Sequence, residues 1–195
     1  MGKAILPWVL VCAVLIVPIA LATTSPFLAW RDPVYVIAGF AGIVGLAVLL
    51  VQPLLAGGLL PGVAPSTAQH VHRVTGAALV LLVVVHVGGL WITSPPDVID
   101  ALLFASPTPF SVWGVIAMWA VFCAALLARF RRRLGLLLWR RAHTCLAGVI
   151  VVGTVVHAVL IEGAMETLSK AVLCALVILA TGKVVLARRV WRGRI

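Results

Sequence analysis

Six long apolar stretches dominate this sequence and restrict what it can fold into. They cover approximately residues 4–22, 34–55, 71–92, 110–127, 142–161 and 168–186. Each is close to the roughly 20 residues that a helix needs to cross the hydrocarbon core of a bilayer. Because 64% of the 195 residues are hydrophobic and only 10% are charged, the chain has too little polar surface for a water-soluble fold. We therefore predict an all-α polytopic membrane protein, with one domain over residues 1–195 that forms a six-transmembrane-helix bundle.

The first stretch has two interpretations. Lys3 precedes it, and the small residues Ala20 and Ala22 lie near its end, as they would in a cleaved signal peptide. Its apolar run is longer than the roughly 7 to 15 residues of a signal-peptide core, which favours a retained helix. Either interpretation leaves the later helices with the same orientation.

The charged residues separate onto two sides of the predicted bundle, because short connections make successive helices antiparallel. Most basic residues gather on one side: Arg129, Arg131, Arg132, Arg133, Arg140, Arg141, Lys183, Arg188, Arg189, Arg192 and Arg194. All five acids fall on the other side: Asp32, Asp97, Asp100, Glu162 and Glu166. By the positive-inside rule we expect both termini in the cytoplasm of a multi-pass protein of the inner or plasma membrane. The net charge of +10 then reflects topology and contact with membrane lipid, and we predict no nucleic-acid partner.

Two of the apolar stretches carry histidines with the same spacing. His72 and His86 lie fourteen residues apart in the third stretch, as do His143 and His157 in the fifth. Fourteen helical residues end about 40° short of four full turns and about 21 Å along the axis, so both histidines leave one face of each helix. The third and fifth helices are parallel. We therefore predict an inner pair, His72 with His143, and an outer pair, His86 with His157.

Facing imidazoles from two helices suit haem, because its iron accepts axial ligands from opposite sides of the ring. We predict two b-type haems, with the inner iron bound by the inner pair and the outer iron by the outer pair. The sequence contains no Cys-x-x-Cys-His motif for covalent attachment. A histidine in a membrane helix can also be a polar residue bonded to a neighbouring helix, but that alternative explains one histidine more readily than two matched pairs.

Small residues near the histidines are candidates for cofactor contacts. Gly76 lies one turn after His72, and Gly153 lies one turn before His157. Both leave room for a flat macrocycle, although small residues in membrane helices also serve close helix packing.

Three arginines are placed near the inner boundary of the predicted bundle. The guanidinium groups of Arg73, Arg140 and Arg141 can bind the propionate groups of a haem, because their forked donors fit carboxylates. Three tryptophans are interpreted as interfacial anchors: Trp91, Trp113 and Trp139.

These motifs resemble the ferric reductase-like transmembrane domain. The resemblance is carried by His72-Arg73-x-x-Gly76 with His86, by Arg132-Arg133-Leu134-Gly135, by Trp139-x-x-x-His143 with His157, and by Gly42 with the segment from Leu46 to Pro53. It covers roughly residues 38–192. The superfamily includes ferric reductases, the membrane part of NADPH oxidases, and the haem-bearing membrane subunit of the bacterial periplasmic methionine sulfoxide reductase system. The layout is nearest to that subunit, but the chain departs from it at His72, where the subunit's pattern has arginine.

The resemblance implies transmembrane electron transfer through two stacked haems from the cytoplasmic to the outer side. The sequence contains no flavin or nicotinamide domain, so we expect the donor to be a separate cytoplasmic flavoprotein or a membrane quinol. We expect the acceptor to be a periplasmic or extracellular protein or ferric ion. The chain would then be an oxidoreductase component that performs little bond chemistry itself.

Two other functions are compatible with the same residues. A transporter or channel uses histidines as metal or proton sites, but such sites commonly pair histidine with carboxylates, and every acid here lies in or beside an outer connection. A haem subunit with an assembly or sensing role in a larger complex would present the same ligands. Only turnover with an acceptor separates that role from electron transfer.

Overall fold

The structure is a computed structural model that describes the backbone of residues 2–192 and the side chains of residues 5–187. Over that range the chain forms seven α-helices and two short 3-10 turns. The helices are α1 (Gly2–Thr23), α2 (Pro33–Ala56), α3 (Pro65–Thr93), α4 (Pro95–Leu102), α5 (Pro109–Arg129), α6 (Leu136–Leu160) and α7 (Thr167–Arg192). All except α4 are long and apolar enough to cross a membrane. The prediction of an all-α bundle with six membrane-spanning helices is therefore confirmed.

Several helices begin where the sequence supplies proline or a capping side chain. Pro33, Pro65 and Pro109 occupy the first turn of α2, α3 and α5, where the missing N–H of proline costs no hydrogen bond. Asp32 caps α2, because its Oδ1 accepts a hydrogen bond from the backbone N–H of Val34 at 2.7 Å.

The two histidine-bearing helices are longer than the sequence predicted. α3 begins at Pro65 rather than near residue 71, and α6 begins at Leu136 rather than near residue 142. The added residues include Gln69 and His70 in α3 and the arginines that precede residue 142 in α6. These residues are polar, so the apolar stretch ends before them, although each helix continues from the hydrocarbon core into the interfacial region. The six apolar stretches did not include the short helix α4, which lies in the outer connection between α3 and α5.

Two helix pairs form the centre of the bundle. α2 packs along α3, α5 packs along α6, and α7 contacts both α2 and α6. Leu46, Leu50, Val121, Ile150 and Val177 belong to the buried apolar core that these helices share. Many other apolar side chains point outward. Lipid tails are as apolar as leucine, so nothing drives those side chains inward.

α1 lies at the periphery of the bundle, against α2 and α7. The indole Nε1 of Trp8 in α1 donates a hydrogen bond to the carbonyl oxygen of Pro61 at 3.2 Å. Some residues of the charge argument lie outside the described side chains: Lys3, Arg188, Arg189, Arg192 and Arg194. The orientation of the termini stays a prediction.

Candidate functional site

The two histidine-bearing helices stand apart within the bundle. α3 packs closely on α2, and α6 packs closely on α5, whereas the described parts of α3 and α6 do not pack along each other. The histidines of α3 and α6 face each other across this separation. A flat cofactor between two helices requires such an arrangement, because its faces must be reached from opposite sides.

The four histidines form the two pairs that the sequence predicted. The ring centroids of His72 and His143 are 6.3 Å apart, with an interplanar angle of 75°. The ring centroids of His86 and His157 are 6.4 Å apart, with an interplanar angle of 80°. Because each helix carries its histidines fourteen residues apart, the two levels are separated by about 21 Å of a hydrocarbon core about 30 Å thick. The pairs therefore occupy two depths of the membrane.

The separation within each pair fits a single metal ion between two imidazoles. A metal–imidazole bond is about 2.0 to 2.1 Å long, as in zinc sites, and a ring nitrogen lies roughly 1.2 Å from its ring centre. Two imidazoles on opposite sides of one ion therefore place their centroids about 6.4 Å apart. The measured separations of 6.3 and 6.4 Å agree with this value. Both pairs thus fit axial ligation of a haem iron, although the haems themselves stay a prediction.

Hydrogen bonds to backbone carbonyls fix the orientation of the outer pair. Nδ1 of His86 lies 2.7 Å from the carbonyl oxygen of Ala38 in α2. Nδ1 of His157 lies 2.9 Å from the carbonyl oxygen of Phe110 in α5. A carbonyl oxygen only accepts hydrogen bonds, so each Nδ1 carries the proton and each Nε2 retains its lone pair. This tautomer suits metal binding through Nε2, with the carbonyl raising the basicity of the ligand.

Two glycines allow the outer histidines to approach their carbonyl partners. A Cβ atom on Gly42 would lie 3.0 Å from Nδ1 of His86, and a Cβ atom on Gly114 would lie 2.7 Å from Nδ1 of His157. Sequence reasoning included Gly42 only as part of the family resemblance and missed Gly114 entirely. The signal that could have revealed both is their separation of 72 residues, which nearly equals the 71 residues between the matching histidines.

An aromatic side chain accompanies the inner pair. Trp139 lies one turn before His143 in α6, and its indole ring stacks on that imidazole with a centroid distance of 5.5 Å and an interplanar angle of 13°. Its Nε1 is enclosed by the protein and has no hydrogen-bond partner among the described residues. Trp139 is therefore part of the surroundings of the inner pair, a position that its interpretation as an interfacial anchor did not foresee.

The predicted glycine sites differ in their surroundings. A Cβ atom on Gly76 would meet only Oε1 of Gln52, at 3.7 Å, so the helix surface there is open. At Gly153 a Cβ atom would lie 3.0 Å from the carbonyl oxygen of Trp113 and 3.1 Å from Cβ of Ala117. Gly153 thus serves the close approach of α6 to α5, which is the packing alternative that the sequence left open. Contact of either glycine with a haem stays a prediction.

A hydrogen bond between two polar side chains lies near the inner pair. Nε2 of Gln52 in α2 donates to Oγ1 of Thr75 at 2.8 Å, and Thr75 itself donates to the carbonyl oxygen of Val71 at 2.8 Å. Such bonds between membrane helices satisfy polar groups that lipid cannot. They join α2 to α3 one turn from His72.

The predicted propionate-binding arginines lie at the inner ends of the histidine helices. Arg73, Arg140 and Arg141 are exposed. Their side chains are available to an anionic group, and haem contact stays a prediction for each of them.

The acidic residues lie away from the histidine pairs. Asp32 caps α2, and Glu166 accepts hydrogen bonds from the backbone N–H groups of Leu168 and Ser169 at the start of α7, both at 2.7 Å. Within the described residues, no three His, Cys, Asp or Glu side chains cluster as they would around a protein-bound metal ion.

Comparison with known proteins gives one match. The model of the family described as ferric reductase like transmembrane component matches residues 38–154, which is more than half of the chain. The matched region begins at Ala38, whose carbonyl binds His86, and includes three of the four paired histidines; His157 lies just beyond it. Comparisons with curated proteins and with solved structures gave no significant match.

Proposed function

The chain belongs to the ferric reductase-like transmembrane component family, and from this premise we propose that it carries electrons across the membrane through two b-type haems. His72 and His143 bind the inner haem in this proposal, and His86 and His157 bind the outer one. Membership of the family supports transmembrane electron transfer in general. The number of haems and their ligands are proposed from the residues of this chain.

One observation carries the proposal: two imidazole pairs, each with the separation that a metal ion between them requires, at two depths of one bundle. A single such pair would supply one centre, which cannot by itself conduct across a bilayer about 30 Å thick. Two centres separated by about 21 Å span most of that thickness.

The chain's own contribution is to hold, orient and insulate the two centres. Haem, when bound, supplies an iron that accepts and releases one electron at a time. With two histidines on each iron no coordination position would stay open, and the site would suit electron transfer rather than bond chemistry. The carbonyls of Ala38 and Phe110 orient the outer ligands, and the indole of Trp139 covers one face of an inner ligand.

The electron donor and acceptor are proposed from the charges on the inner and outer faces of the protein. We propose a cytoplasmic flavoprotein or a membrane quinol as the donor at the inner face, where arginines provide an anion-binding surface. We propose a periplasmic or extracellular protein, or ferric ion, as the acceptor at the outer face. Asp97, Asp100 and Glu162 are the acids there without a helix-capping hydrogen bond to their side chain among the described residues.

The test is the haem content of the purified protein, measured as its pyridine haemochrome. We expect about two haems b per chain, because each histidine pair binds one iron. His86→Ala is expected to lose the outer haem alone, and His143→Ala the inner haem alone. Each variant should therefore retain about half of the haem, with helix content by circular dichroism unchanged.

His70→Ala is the matched control, because His70 is exposed in α3 and belongs to neither pair. It should retain both haems. A folded wild-type chain that binds no haem would contradict the proposal and leave a histidine-based transporter as the better account. Two haems without electron transfer to any acceptor would instead indicate an assembly or sensing role.

A further inference from the structure

The outer histidines are held by the same arrangement twice. On α2, the carbonyl of Ala38 binds His86, and Gly42 follows four residues later. On α5, the carbonyl of Phe110 binds His157, and Gly114 follows four residues later. We call each set, Ala38 with Gly42 and Phe110 with Gly114, a carbonyl–glycine pair.

The spacing of four residues has a structural reason. In an α-helix the carbonyl of one residue accepts the N–H of the residue four positions later, so the two lie next to each other along the helix. A side chain on the later residue stands beside that carbonyl and limits access to its second lone pair. Glycine leaves the carbonyl open, so an imidazole from a neighbouring helix can bind it as well.

The space beside each glycine is shown by where an added Cβ atom would lie. At Gly114 it would lie 2.7 Å from Nδ1 and 2.9 Å from Cε1 of His157. At Gly42 it would lie 3.0 Å from Nδ1 and 3.1 Å from Cε1 of His86. Distances this short are below ordinary van der Waals contact, so each imidazole would have to move away from its carbonyl.

We propose that Gly42 and Gly114 are positioning residues for the outer electron-transfer centre, an inference that rests on the proposed function. Their missing side chains let Nδ1 of each outer histidine donate to a backbone carbonyl. That hydrogen bond leaves the Nε2 lone pair available to an iron and would make the imidazole a more basic ligand.

The α2–α3 and α5–α6 pairs share this arrangement and are packed alike. The carbonyl–glycine pairs are separated by 72 residues, and both the inner and the outer histidines are separated by 71. In a six-helix serpentine the two helix pairs run in the same directions through the membrane. Parallel repeats in membrane proteins have this relation, with both copies crossing the membrane in the same sense.

The experiment compares alanine variants of four glycines in haem-loaded protein. Gly114→Ala and Gly42→Ala are the test variants. Gly39→Ala on α2 and Gly148→Ala on α6 are matched controls, because nothing lies within 4 Å of a Cβ atom at either position. The readouts are the electron paramagnetic resonance spectrum and the midpoint potential of each centre, with the outer centre identified by its loss in His86→Ala.

We expect Gly114→Ala to change the spectrum of the outer centre and raise its midpoint potential, or to lose that haem, while the inner centre is unchanged. The potential rises because a less basic ligand stabilises the oxidised iron less. Gly42→Ala should act in the same direction with a smaller effect, since its added atom is less crowded. Both controls should match the wild type.

A purely structural role would lower stability without a selective effect on the outer centre. Folded Gly42→Ala and Gly114→Ala proteins with both centres unchanged would overturn the inference and leave the proposed function intact. If Gly114→Ala yields no folded protein, the spectrum of Gly42→Ala decides. A wild-type chain without haem would refute the proposed function itself, which is a separate outcome.

Discussion

Trp139 shows how one side chain can restrict the orientation of a neighbouring histidine. Its indole lies nearly parallel to the imidazole of His143, one helical turn away. Neither ring can rotate freely while they remain stacked, and an aromatic pair of this kind contributes about 0.5–1.5 kcal/mol. Trp91, by comparison, is 46% exposed, as expected of an interfacial anchor.

We therefore expect Trp139→Leu to weaken haem binding at the inner level by about two- to tenfold, from the loss of the stacked pair. Trp139→Phe keeps an aromatic ring and should retain most of the affinity. The rate of haem transfer to an excess of a soluble haem-binding protein measures the effect, with the inner haem distinguished by its absence in His143→Ala. Trp91→Leu on α3 is the control, and a loss equal to that of Trp139→Leu would refute the role given to stacking.

The pairing of the histidines could be predicted from the sequence, whereas the contacts that Gly42 and Gly114 make with them could not. Equal spacing on two parallel helices is sufficient to place four imidazoles at two depths, because it depends only on helical geometry. The contact between Gly114 and His157 depends on how α5 and α6 are aligned. That alignment is set by packing between residues far apart in the sequence, such as Trp113 and Ala117 against Gly153.

The start of α7 is held by an acidic side chain. Glu166 accepts backbone hydrogen bonds from Ser169 and Leu168 and holds the first turn together. These bonds, from Ser169 first and Leu168 second, lower the pKa of the Glu166 carboxyl below its usual value. The negative charge also lies at the positive end of the helix dipole. One acid of the outer face is thus explained by capping rather than by partner binding.

The lowered pKa predicts a pH dependence. A carboxyl group with a lower pKa in the folded state contributes stability above its unfolded pKa, and that contribution is lost as the pH falls through the folded value. Glu166→Gln should therefore lower the unfolding temperature at neutral pH and have no effect in acid, where the wild-type carboxyl is protonated. Thermal unfolding followed by circular dichroism between neutral and acid pH measures both limits.

Glu162→Gln is the control for this comparison, because Glu162 is equally exposed beside the same helix connection. It should leave the unfolding temperature unchanged at every pH. An effect of Glu162→Gln equal to that of Glu166→Gln would show that general surface charge, rather than the cap, is responsible.

The number of membrane-spanning helices could be predicted from the sequence more accurately than their lengths. Six apolar stretches identified six spans, because lipid requires each span to satisfy its own backbone. The inner ends of α3 and α6 extend beyond those stretches, since the helices continue where hydropathy falls. α4 was not foreseen, because eight residues with two prolines give too short a pattern to distinguish from a loop.

The whole molecule combines a repeated ligand-holding unit with a strongly asymmetric charge distribution. The two units, α2–α3 and α5–α6, bring the four histidines together as an inner and an outer pair. In the predicted topology most of the arginines lie at the inner end of the bundle and the acids at the outer end, beside Arg31. A donor and an acceptor of different charge would thus be attracted to different ends of the protein.

Electron transfer across a sealed bilayer tests this account most directly. Purified haem-loaded protein is reconstituted into vesicles that contain ferricyanide, a membrane-impermeant acceptor, and dithionite is added outside. We predict that the trapped ferricyanide is reduced in vesicles with the wild-type chain, and that His86→Ala and His143→Ala each lower the rate to that of protein-free vesicles. Unchanged rates in both variants, or no reduction by a wild-type chain that carries two haems, would contradict the account.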